Sequence, residues 1–480
     1  MPDHQPSVPD RAELAGVIEL VAREARAYLE TLDERPVLSR RAEDAMAGMA
    51  GRLPEAGVGA ATALRELIDA GQEASTATSG PRCFHFVIGG TTPAALGADW
   101  LAGALDQIAY TWVTSPLGVR LEMIALSWLK ELFELPASWS GICTTGATMS
   151  NFVGLAAARQ WWGERQGVDV SEQGLAGLPP VPVFAGDHIH ASSVKVVGLL
   201  GMGRGRIRRF VRDGSGRLDL EALEEALAAL NGRPAIVVGT AGEPNAGDFD
   251  PIDALADLAE RYGAWLHVDG AFGLFARLDP RTRHLTKGVE RAQSLTVDGH
   301  KWLNVPYDCG FAFVHDLGLL SRSFRYSAAY LPHPDDPRPT PGALGPESSR
   351  RARGLAVWAT LRAYGRDGYR RMVEQHVDLA RRLADLVDEA PDLERLAEVP
   401  LNIVCFRFHP HGRTEEELND LNRRLGEEII ADGRVFVGTT TYEGRVALRP
   451  AIVNWRTRAE DILFFVDVVR ELGKRVAEQG

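Results

Sequence analysis

Short apolar runs alternate with helical stretches through the middle of the chain, and this pattern restricts the fold more than any other feature. The runs lie at 181–185, 235–239, 264–268, 294–297 and 310–314, each bounded by glycine, proline or polar residues. Between them, residues 219–230 and 251–262 repeat apolar positions at helical spacing. Strands that are apolar on both sides belong in a sheet covered on both faces, and an intervening helix returns the chain in parallel. The pattern predicts an α/β fold around a mainly parallel sheet. Ligands in such sheets sit beyond the carboxyl ends of the strands, so polar residues just after each run are the first candidates for function.

The flanks read differently. Residues 11–35 carry Leu14, Val17, Ile18 and Val21 at helical spacing before Pro36, and a second helix is predicted over 60–70, ended by Gly71. A polar loop, GQEASTATSGPR, then leads into helices at 94–106 and 121–135. Residues 331–349 hold many prolines and no periodicity, and so long a loop inside a compact domain is usually functional or disordered. Beyond it, helices at 355–364 and 369–388 precede strand 401–408, helix 414–431, strand 445–448 and helix 457–478, a small α+β unit. The predicted organisation is an N-terminal helical segment (1–92), a large domain (93–370) and a small C-terminal domain (371–480).

Composition removes several classes of function. With 45% hydrophobic and 25% charged residues the chain is not wholesale disordered. Its net charge of −12 leaves no electrostatic footprint for nucleic acid or an anionic membrane. No window approaches 18 uninterrupted apolar residues, and the polar start MPDHQPSVPDRAEL is unlike a secretory signal. Cys83, Cys143, Cys309 and Cys405 are scattered without a CxxC pair, which argues against a zinc ribbon, a redox pair or a disulfide framework. The expectation is a reducing, cytoplasmic compartment.

Four groups of residues carry possible chemistry. Asp269 closes the run AWLHVD, where a carboxylate falls at the ligand-binding edge, although turn and helix-cap aspartates are common there. Lys301 follows the next run, in SLTVDGHKWLNVPYDCG, between His300 and Trp302. Partial burial there would lower its pKa and leave a nucleophilic amine for carbonyl chemistry, whereas a lone lysine is ordinarily a surface residue. In CTTGATMSNFVGLAAAR, small hydroxyl residues and Gly146 open a helix whose N-terminus would suit a phosphate or simply be capped. His190, in DHIHASSVK, falls at the same edge and could stack on a flat ring; His188 beside it is a decoy. Phosphate donors, stackable ring, carboxylate and lysine in this chain order fit a pyridoxal-phosphate site.

With these motifs assembled, the sequence resembles the group II pyridoxal-phosphate-dependent decarboxylases, the family of aromatic-L-amino-acid, glutamate and diaminobutyrate decarboxylases. The resemblance runs from FHFVIGGTTPAALGADWL at Phe84 to LRPAIVNWRT at Thr457, and is most specific in DGHKWLNVPYDCG and HVDGAFG. It implies the fold-type I transferase architecture: a mainly parallel seven-stranded sheet with helices on both faces, a small C-terminal α+β domain, and a homodimer whose N-terminal segment wraps the partner and whose active site is shared. It further implies that Lys301 holds pyridoxal 5′-phosphate as an internal aldimine. Asp269 would pair with the pyridine nitrogen, Ala271 pack on the ring and His190 stack on it. Gly146, Ala147 and Thr148 would hold the phosphate, with His300 preceding the lysine. Asp298 stands where the family often has a phosphate-binding Asn.

The same resemblance makes Tyr330, in SAAYLPH, the acid on a mobile loop that protonates the carbanion after CO2 leaves. Arg449, in ALRPAIVNWRT, matches an arginine that meets a substrate carboxylate in some members, a plain salt bridge being the alternative. The family's threonine-rich turn after 235–239 is replaced by AGEPNAGDFDP. Gly89 and Gly90, in HFVIGGTTP, are expected to remove side chains that would pack an aromatic substrate. The implied activity is decarboxylation of an L-amino acid to its amine and CO2. Alternatives on the same scaffold are aldehyde-forming oxidative deamination, an aldol-type lyase or aminotransfer, and, outside catalysis, a binding scaffold.

Overall fold

The computed structural model describes residues 10–214, 216–326, 328 and 336–479. Among these residues, strands β1 (Ser140–Thr144), β2 (Val183–Ala185), β3 (Ile207–Arg209), β4 (Ile236–Thr240), β5 (Trp265–Asp269), β6 (Ser294–Asp298) and β7 (Gly310–Val314) form a seven-stranded sheet in the order β1-β7-β6-β5-β4-β2-β3. β7 is antiparallel to both of its neighbours, β1 and β6, and the remaining pairs are parallel. The predicted α/β architecture with a mainly parallel sheet is therefore the one adopted.

Near-continuous apolar strands follow from burial on both faces, and alternate residues feed two different cores. Leu266 and Val268 of β5, Leu295 and Val297 of β6, and Phe311 and Phe313 of β7 pack with Leu126 and Leu129, Leu255 and Leu258, and Val357 and Leu361 from covering helices. Trp265 of β5, Ile236 and Val238 of β4, and Ala312 and Val314 of β7 face the opposite way, against Val153 and Ala157 of helix Ala147–Glu164 and Val196 and Val197 of helix Ala191–Leu199.

Two strands of this sheet escaped prediction. β1 reads SGICT, whose first two residues, Ser140 and Gly141, break the apolar run, and β3 reads IRR because it is an edge strand with both arginines exposed. The helix predicted to stop at Gly71 continues to Ala74, where Ser75 turns extended. The helix predicted at 121–135 begins earlier, at Pro116, capped by the Ser115 hydroxyl, which accepts from Gly118 N–H at 3.0 Å. Helix Gly354–Glu389 runs through both helices predicted after the proline-rich stretch and breaks at Gly365 (φ 60°, ψ −173°).

Its second half packs on a four-stranded antiparallel sheet of β8 (Leu393–Arg395), β9 (Phe406–Phe408), β10 (Thr439–Tyr442) and β11 (Arg445–Leu448), in the order β10-β11-β9-β8. Helices Glu415–Asp432 and Ala459–Glu478 complete that core with Leu425, Ile429, Phe465 and Leu472. At the other end of the chain, helix Glu13–Glu30 leaves Leu14 and Ile18 each 59% exposed. Among the described residues no helix is long and apolar enough to cross a membrane.

Candidate active site

The carboxyl ends of β1, β4, β5 and β6 and the start of β7 meet at one sheet edge, as the register pairs Thr144 with Gly310, Thr240 with Asp269 and Asp298 with Gly310. A cavity of about 480 Å³ opens there, lined by Gly146, Ala147, Thr148, His190, Asp269, Ala271, Asp298, His300, Lys301 and Arg449. Ten of the residues singled out from the sequence thus share one wall. Tyr330 lies outside the described residues. His188 is buried away from the cavity, its carbonyl accepting from Thr240 Oγ1 at 3.4 Å.

Asp269 ends a strand whose residues 265, 267 and 269 face one side. Its carboxylate is 5% exposed and has three donors: Asn151 Nδ2 at 2.8 Å and Ser193 Oγ at 3.1 Å on Oδ2, and Ala271 N–H at 3.2 Å on Oδ1. Ala271 also binds the next strand, its carbonyl accepting from Asp298 N–H at 2.9 Å.

Lys301 sits in the turn between β6 and β7, closed by Gly299 and His300 N–H bonds to the Cys309 carbonyl. Its ammonium lies 3.2 Å from Asp298 Oδ2 and 5.6 Å from the centre of the Phe272 ring. The expectation that Lys301 stands between two aromatic neighbours holds on one side alone. His300 faces the cavity, stacked at 4.2 Å on Tyr307, but Trp302 is fully buried in the core, donating to His376 Nδ1 at 2.8 Å. Trp302 anchors the turn, and Phe272 supplies the second ring. Asn304 completes the anchoring, its amide donating to the carbonyls of Trp302 (2.8 Å) and Val453 (3.0 Å).

Helix Ala147–Glu164 points its N-terminus into the cavity, with Thr145 and Thr148 on the wall. Thr144 turns inward instead and shares a 2.7 Å hydrogen bond with Ser150. Asp298 Oδ1 accepts from Ala147 N–H at 2.6 Å, so one of the helix donors already holds a side-chain anion. His190 caps helix Ala191–Leu199 through Nδ1, which accepts from Ser192 N–H at 3.2 Å, and its ring lines the cavity. Burial lowers the pKa of both His190 and His300, and both rings are neutral near pH 7.

Arg449 donates to the Pro244 carbonyl at 3.1 Å, and among the described residues no carboxylate stands at ion-pair distance, so the plain salt bridge is not formed. The glycines of HFVIGGTTP serve a different purpose from the one expected. A Cβ on Gly89 would lie 1.6 Å from the Lys301 carbonyl oxygen, and a Cβ on Gly90 (φ 73°) would lie 2.8 Å from Asn454 Nδ2. They let two backbones meet beneath the lysine turn; Phe86 and Val87 reach the cavity. The residues missed from the sequence, Asn151, Ser193, Thr240 and Phe272, lie in the first turns of two helices, at the end of β4 and just after β5.

A carboxylate at one end, a helix N-terminus at the other and an amine beside them form a cradle for a phosphorylated aromatic aldehyde, with Asp298 the one opposing charge. The comparisons agree. The profile described as "Pyridoxal-dependent decarboxylase conserved domain" matches residues 68–409, and the chain belongs to that family. It is 28% identical to the aromatic-L-amino-acid decarboxylase of Bacillus atrophaeus over 83% of this chain and 82% of that one. It is 30% identical to the L-2,4-diaminobutyrate decarboxylase of Acinetobacter baumannii over 72% and 70%. Among solved structures, Oryza sativa TDC with PLP and tryptamine superposes with a TM-score of 0.90 at 27% identity, covering 98% of this chain and 99% of that one. The protein is a carboxy-lyase of the amino-acid decarboxylase class, and pyridoxal 5′-phosphate is its cofactor.

Proposed function

We propose that this chain removes the α-carboxyl group of an L-amino acid as CO2, with Lys301 as the residue that holds the cofactor aldehyde. The observation that carries the reading is the convergence of Lys301, Asp269 and the N-terminus of helix Ala147–Glu164 on one cavity from separate parts of the sequence. When bound, the cofactor supplies an electron sink for the pair left behind by the departing carboxyl carbon.

The chain's own residues do the rest. Asp269, fixed by its three donors, would pair with the pyridine nitrogen of the bound cofactor and favour its protonated form. Ala271 and His190 would pack against the cofactor ring, and Gly146, Ala147 and Thr148 would line its phosphate at the helix N-terminus, the Ala147 N–H being already held by Asp298, with His300 beside it. Arg449, which among the described residues forms no ion pair, would receive an anionic group of the substrate. Tyr330 is the proton donor to Cα and favours simple decarboxylation over aldehyde formation. The apolar residues exposed on helix Glu13–Glu30 suit a homodimer, in which the active site is shared. The scattered cysteines suit the cytoplasm.

The test is CO2 release from a panel of L-amino acids by the wild type and by Lys301→Ala. Release by the wild type, lost in the variant, is expected. Turnover retained without Lys301 would overturn the reading.

A further inference from the structure

Behind Asp269 runs a chain of buried polar groups that the sequence did not suggest. Trp265 Nε1 donates to Ser294 Oγ at 2.9 Å, Ser294 Oγ lies 2.8 Å from His267 Nδ1, and His267 Nε2 lies 2.8 Å from Asn151 Oδ1. Asn151 Nδ2 then donates to Asp269 Oδ2 at 2.8 Å. Trp265, His267, Ser294 and Asn151 have no measurable exposure, so none can exchange these bonds for water.

The two ends fix the direction of every bond. Asp269 only accepts, so Asn151 must turn its amide nitrogen to it and its oxygen to His267. His267 must then donate from Nε2 and accept at Nδ1, and Ser294 must donate its single proton to Nδ1 while accepting from the indole. The reverse orientation would set the Asn151 oxygen against the Asp269 carboxylate. Burial keeps the imidazole neutral, with a pKa of about 4, as this pattern requires. Space has been cleared for the ring: a Cβ on Gly154, one turn along the helix from Asn151, would meet His267 Cε1 at 2.8 Å.

We propose that His267 is a positioning residue for Asp269, transmitting through Asn151 a fixed hydrogen-bond direction that starts at Trp265. This rests on the reading of Asp269 as the partner of the pyridine nitrogen. A carboxylate with a locked donor cannot rotate away from the ring, and the nitrogen stays protonated to higher pH. Without His267 the Asn151 amide is free to flip and oppose the carboxylate.

The test uses the full chain loaded with pyridoxal phosphate. His267→Phe keeps a ring and removes the donor, whereas His267→Gln keeps a donor at the distal position. Three quantities are measured: the cofactor dissociation constant, the pH response of the bound cofactor's absorption, and the melting temperature. His267→Phe is expected to weaken cofactor binding about tenfold and move the spectral transition about one unit to lower pH, with Gln restoring both to within about threefold of wild type. Ser294→Ala, which removes the donor to Nδ1, should move both the same way by less, and it carries the test if the Phe variant does not fold. A His267→Phe protein with a lower melting temperature but wild-type affinity and pH response would overturn the proposal. Asp269→Asn separates the two failures. If it alone disturbs affinity and spectrum, only the role of His267 falls; if neither variant does, the reading of Asp269 falls as well.

Discussion

Lys301 depends on close contacts more than on its own environment. Its carbonyl leaves no room for a side chain at Gly89, so Gly89→Ala must push the lysine turn off the strand that carries it. Such overpacking costs about 1–3 kcal/mol or more, and denaturant unfolding should report that loss together with a fall in turnover. Asp298 acts in the opposite sense, because its carboxylate already holds the Ala147 N–H at the end of the cavity suited to a phosphate. Asp298→Asn keeps the acceptor and removes the charge, so inorganic phosphate and pyridoxal phosphate should both bind about tenfold more tightly, measured by calorimetry; weaker binding would show that the charge serves another purpose. At this scale the sequence was most informative where a residue faces the cavity directly. It could not separate His300, which does, from Trp302, which does not, because neighbours in a turn point to opposite sides without any periodic rule.

Elements were legible wherever periodicity was strong. β4 to β7 and helix Ile252–Tyr262 lie within a residue or two of their apolar patterns, since burial on both faces demands those residues. Short or polar edge strands such as β3 were hidden, because an edge tolerates arginine. Gly365 is the clearest element-level device: its dihedral angles are open to glycine alone, and nothing lies within 4 Å of a Cβ there. Gly365→Ala should therefore cost about 1–3 kcal/mol through backbone strain alone, read as a lower melting temperature. His376, on the same helix, is buried with a pKa of about 4. The unfolded chain binds a proton on this ring below about pH 6.5 that the folded chain refuses until about pH 4, so stability falls as pH is lowered through that window. Protonation also sets a second N–H against Trp302, the residue after Lys301. Urea midpoints at pH 7 and pH 5 should differ less in His376→Gln than in the wild type.

For the whole molecule, the sheet edge brings together residues that the sequence shows only as an ordered set. The register of β4, β5 and β6 does this, and no single motif contains it. The apolar residues left exposed on the N-terminal helix, with Ile108 and Val113 further along, would suit the proposed dimer surface. Sedimentation should give twice the 52.3 kDa of one chain, and Leu14→Glu with Ile18→Glu should shift it toward monomer with loss of turnover. The most direct test of the account is chemical. Borohydride reduction of the purified holoprotein, followed by proteolysis and mass mapping, should leave a pyridoxyl group on the peptide containing Lys301. A label on another lysine, or on none, would contradict the assignment of this cavity as the site of decarboxylation.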